Sequence, residues 1–89
     1  MSNTRRYSDA TLSIMSRFYL AVDKCKEEGL MRSVAAYCRM AGIDKGHFYN
    51  QKKYPTKGYF EVGWMTPLVS DLGVSANWLL TGRGMMFVS

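Results

Sequence analysis

Between Asp44 and Glu61 the chain carries Lys45, Lys52, Lys53 and Lys57 and no carboxylate, with Tyr49, Tyr54 and Tyr59 interleaved. Ammonium groups on such a stretch neutralise phosphates, and the tyrosines add hydroxyls and flat apolar faces. A solvated basic loop would have the same composition, so spacing has to separate the two. Asn50 falls among these lysines, and its amide can bond an adenine edge at N6 and N7 together. His47 is the one histidine, three residues after Asp44. At the start of a helix that spacing makes a local bond rather than a general acid–base pair.

Other chemistries find little support. No glycine loop of the P-loop type is present, so no enzymatic activity and no cofactor are expected. Two cysteines, Cys25 and Cys38, with a single histidine do not make a four-ligand zinc site. They read as two reduced core thiols, which fits a cytoplasmic protein. No apolar run approaches the roughly 20 residues of a membrane span. The basic start Met1-Ser-Asn-Thr-Arg-Arg-Tyr7 is followed by no signal-peptide core. The net charge of +5 favours a polyanionic partner. The 89 residues suffice for one domain with one core, and 47% hydrophobic residues can fill it.

The elements that must hold the lysines follow from apolar spacing. Ser8 or Asp9 caps a first long helix, in which Leu12, Met15, Phe18, Tyr19, Val22 and Cys25 recur at three- and four-residue steps. Its outer face carries Arg17, Asp23, Lys24 and Glu27, and Gly29 stops it. Ser33 caps a short second helix, Val34 to Met40, with Val34, Tyr37, Cys38 and Ala41 apolar. Gly42 turns the chain and Asp44 caps a third helix from Lys45 to Gln51 or Lys53, anchored inward by Phe48. Pro55 and Gly58 mark a loop. A fourth helix is expected from near Gly63 to Gly73, with Trp64, Leu68, Val69 and Leu72 on one face. A fifth, capped by Ser75, runs through Trp78, Leu79 and Leu80 to Thr81-Gly82-Arg83-Gly84. Both tryptophans read as core.

In the run from Ser33 to Lys53, small Cys38 and Ala41 lie where two short helices approach, and Ile43 and Phe48 plug the angle between them. One helix braces a second that is free to lie in a major groove. With its Ala41-Gly42-Ile43 turn, this run resembles the lambda-repressor-like family of helix-turn-helix domains, phage-repressor type. A second segment carries the resemblance as well: Leu72-Gly-Val-Ser-Ala-Asn-Trp-Leu-Leu-Thr-Gly-Arg-Gly84 looks very like the junction of the fourth and fifth helices in phage repressor domains. The match runs from about Arg17 to Gly84. Gln51 stands where the family usually has an apolar or aromatic residue, and Gly46 where it commonly has a polar one. The resemblance implies an all-α, compact five-helix bundle containing a helix-turn-helix, which binds operator DNA, usually as a homodimer.

Turning the third helix by about 100° per residue with Phe48 inward sends Gly46, Tyr49, Asn50 and Lys53 outward and leaves His47 at the flank. Lys45 sits at the N-terminal end, which usually reaches bases. Tyr49 can touch a phosphate or a thymine methyl, and Gly46 lets the backbone come close. The candidate DNA-binding residues are therefore Lys45, Gly46, His47, Tyr49, Asn50, Lys52, Lys53 and Lys57. Residues 1–7 are expected to be a flexible basic arm, whose Arg5 and Arg6 either enter a minor groove or remain a plain tail. Residues 8–84 form the DNA-binding domain and 85–89 an apolar tail. The tail either folds back or contacts a second subunit. The expected function is sequence-specific binding of double-stranded DNA by a repressor that occludes a promoter. The competing expectation is a helical protein-interaction module, antitoxin- or adaptor-like, that uses the apolar tail.

Overall fold

In the computed structural model, which describes residues 6–88, the chain forms α1 (Asp9–Glu27), α2 (Val34–Ala41), α3 (Lys45–Lys53), a 3-10 turn (Val62–Met65), α4 (Thr66–Ser70) and α5 (Ala76–Thr81). Four of the five α-helices start on a side chain that accepts a backbone amide. Ser8 accepts from Thr11, Ser33 from Ala36, Asp44 from His47 and Ser75 from Trp78. Such caps contribute about 0.5–2 kcal/mol each, which matters for helices as short as α2 and α5.

α1 packs against α2 and α5, and α2 packs in turn against α3, α4 and the 3-10 turn. Met15, Phe18, Tyr19, Ala21, Val22 and Cys25 are the buried residues of α1. Phe18 is fully buried and stands among five other rings. Its centroid lies 4.9 Å from Tyr19, 5.6 Å from Phe60, 5.9 Å from Phe48, 6.1 Å from Tyr37 and 6.3 Å from Trp64. One side chain thus joins α1, α2, α3, the loop after α3 and the 3-10 turn. Most of these pairs are edge-to-face, the arrangement that the ring quadrupole favours.

Two buried phenols tie the elements by their backbones. Tyr19 donates to the Phe48 carbonyl at 2.8 Å and Tyr37 to the Trp64 carbonyl at 2.6 Å. Burial raises the pKa of both phenols well above the ordinary tyrosine value. The stability linked to their protonated forms is present at neutral pH. It is lost as pH climbs past about 10, where unfolded tyrosine ionises and the folded phenols do not, at about 1.4 kcal/mol per pH unit for each. Alkaline titration by circular dichroism should show unfolding that Tyr37→Phe makes less steep. An unchanged slope in that variant would exclude Tyr37 as a source.

Arg17, expected on the solvent side of α1, is half-buried instead. Its Nε donates to the Leu79 carbonyl at 2.7 Å and its Nη2 to the Leu80 carbonyl at 3.2 Å. A cation thus closes the carbonyl end of α5, where the helix dipole favours it. Gly82 follows at φ +76°, and a Cβ there would lie 3.2 Å from Arg17 Nη1.

The single fourth helix expected from Gly63 to Gly73 is replaced by the 3-10 turn and the five-residue α4. Pro67 sits in the first turn of α4, where no amide is needed. Upstream the chain winds tighter, with the Trp64 amide on the Glu61 carbonyl. Val69, expected on the inward face with Trp64 and Leu68, is 41% exposed, while Leu68 is fully buried. Val69, Val62 and Leu80 line an apolar groove of about 340 Å³.

The C-terminal segment folds back. Val74 and Phe87 form an isolated antiparallel bridge, with Ser75 N on Met86 O at 2.8 Å and Val88 N on Gly73 O at 2.9 Å. Met86 and Phe87 pack against the core, whereas Met85 and Val88 stay exposed. Cys25 and Cys38 are free and buried, and desolvation raises both thiol pKa values. No helix among the described residues is long and apolar enough to cross a membrane.

Candidate nucleic-acid interface

The turn between α2 and α3 rests on Gly42, in the left-handed region at φ +71°, where a side-chain residue would be strained. Its amide and that of Ile43 close on the Arg39 and Cys38 carbonyls, and Ile43 is buried. Asp44 then caps α3 through a 3.0 Å bond from the His47 amide. Gly46 belongs to this cap, because a Cβ there would lie 3.2 Å from the Asp44 carboxylate.

α3 is held from below by two residues. Phe48 fills the core, and Gln51 is fully buried one turn later. The Gln51 amide donates to the Pro55 carbonyl at 3.2 Å and toward Met15 Sδ at 3.6 Å. Its Oε1 is buried with no hydrogen-bond partner among the described residues. With Phe48 and Gln51 inward, Gly46, Tyr49, Asn50 and Lys53 are exposed together on the opposite side, and Lys45 is exposed at the N-terminal end.

The other three expected residues occupy the margins. Lys52 leans toward α1, with Nζ 3.6 Å from Asp23 Oδ2 and 5.9 Å from the Tyr19 ring centroid. It is half-exposed, but part of its charge is answered by a carboxylate. His47 lies at the opposite margin, half-buried. Its ring is 5.4 Å from that of Tyr59 and 5.6 Å from that of Trp64. Lys57 is exposed on the loop that follows α3.

That loop runs back along α3. Gly58 lies against Gln51 and Asn50, and Tyr59 lies against His47 one turn nearer the N-terminus. Tyr59 donates to the Glu61 carboxylate, and this bond raises its phenol pKa. Lys53 Nζ sits 5.4 Å over the Tyr54 ring centroid. A wall of exposed tyrosine and lysine, with the Glu61 carboxylate on Tyr59, thus flanks the outer face of α3 along this loop.

Tyr7 secures the wall from the far end of the chain. Its hydroxyl accepts from the Phe60 amide at 2.7 Å and donates to the Gly58 carbonyl at 3.4 Å. The last residue of the expected arm is therefore docked, and Arg6 beside it is exposed. Arg5 lies outside the described residues.

The arrangement offers six exposed α3 positions, one exposed amide able to pair with a base edge, and lysines at both ends of the helix and on its flanking loop. It suits the recognition of a grooved polyanion. Comparison of the chain with family models, curated proteins and solved structures finds no match.

Proposed function

We propose that this protein binds double-stranded DNA in a sequence-specific manner through a helix-turn-helix made of α2 and α3. On this reading it is a non-enzymatic, cytoplasmic transcription regulator of the phage-repressor type, which acts as a homodimer and occludes a promoter. The observation that carries the reading is the register of α3: Phe48 and Gln51 are buried while Tyr49, Asn50 and Lys53 are exposed together. α3 enters the major groove with Lys45 leading. Asn50 reads a base edge, while Lys53 and Lys57 hold phosphates on either side.

Site selection from random duplexes tests the reading, followed by fluorescence anisotropy across salt concentrations. Selection should return a two-fold symmetric site with half-site centres about 34 Å apart. Asn50→Ala should cost about 1–3 kcal/mol, roughly 5- to 150-fold, on the selected site and nothing on random duplex. Failure to enrich any duplex, or binding that ignores salt, would refute the reading.

A further inference from the structure

The loop after α3 is short of regular structure, yet it is fastened at three points, one by Gln51 in the last turn of α3 and two by Tyr7 ahead of α1. The Gln51 amide, buried under α3, donates to the Pro55 carbonyl. The Tyr7 hydroxyl accepts from Phe60 N and donates to Gly58 O, spanning 53 and 51 residues of sequence. Gly58, at φ +74°, lets the chain pass over Gln51, since a Cβ there would collide with Oε1. Lys57 lies between these fastenings, and its own amide closes a turn on the Tyr54 carbonyl.

We propose that Tyr7 and Gln51 are positioning residues for DNA binding, which clamp the loop so that Lys57 meets the phosphate backbone beside the outer face of α3. This rests on the DNA-binding reading and names a partner for its flank. A lysine on a free loop loses conformational entropy when it binds, whereas a lysine on a clamped loop has lost most of it beforehand. The burial of the Gln51 amide fits this role better than packing alone. An apolar side chain of the same volume would fill the core without an Oε1 that has no partner among the described residues.

The test uses the full chain and the selected duplex. Tyr7→Phe and Gln51→Met are each measured alone and with Lys57→Ala, by anisotropy over a salt series, with thermal melts alongside. Each clamp variant should bind about fivefold more weakly at physiological salt, and the slope of log K against log salt should shrink by about 0.9, the signature of one lost phosphate contact. Combined with Lys57→Ala, neither should lose more than Lys57→Ala does alone. Gln51→Met should melt no lower than wild type, which separates clamping from loss of fold even if Tyr7→Phe is destabilised. Wild-type slopes in both single variants, or losses that add fully to that of Lys57→Ala, overturn the clamp while leaving DNA binding intact. A wild-type chain that binds no duplex overturns the clamp together with the reading beneath it.

Discussion

Phe18→Ala should remove about 3–5 kcal/mol of stability, the largest loss from any single truncation in this core. The side chain is fully buried and faces five rings from every element that bears on α3. Those rings belong to separate segments, so they cannot close over the cavity together, and both the transfer and cavity costs stand. A domain of this size has about 5–15 kcal/mol in all, and each kcal/mol lost lowers Tm by about 4–8 °C. The variant should therefore melt at least about 12 °C lower, if it folds at all, with circular dichroism as the readout. Phe18→Leu, which keeps most of the volume, should lose much less. A loss below about 1 kcal/mol in Phe18→Ala would show that the ring cluster is not the keystone described.

The largest effect on binding should come from Lys45, Lys53 and Lys57 changed to alanine together. Each ammonium that meets a phosphate releases close to one counterion, so the salt slope should fall by about 2–3 and affinity by about a hundredfold at physiological salt. All three side chains are exposed, so the melting temperature should stay put. Lys52→Ala should cost less than Lys53→Ala, because Asp23 at 3.6 Å already answers part of its charge. Anisotropy from about 50 to 200 mM salt gives both numbers. A triple variant with wild-type affinity and slope would remove α3 and its loop from any polyanion interface.

Much of this arrangement is local in origin and therefore legible in the sequence. The three- and four-residue spacing in α1 and the hydroxyl or carboxylate before α1, α2, α3 and α5 act within a turn, and so does the left-handed glycine at position 42. The outward register of Tyr49 and Asn50 follows from one inward anchor, Phe48. What escaped reading is what depends on partners far along the chain. Arg17 reads as a solvent-facing cation because its acceptors lie 62 and 63 residues away. Tyr7 reads as part of a loose arm because its partners lie beyond α3. Gln51 shares Phe48's side of the helix, so its register pointed inward. Its polarity hid the burial, and only the Pro55 carbonyl beneath explains it. The change from 3-10 to α winding at Thr66 is hidden because Trp64 and Leu68, four residues apart, are both buried as one continuous helix face would have them.

The guanidinium of Arg17 has a consequence for how the domain assembles. A helix of six residues does not persist in isolation. α5 has its exit carbonyls closed by a residue in the middle of the first helix, and its entry lies beside the paired segments around Val74 and Phe87. α5 therefore borrows part of its order from α1. Loosening of α1 around Arg17 would uncap the α5 carbonyls, so the order of the two helices is coupled through this one side chain.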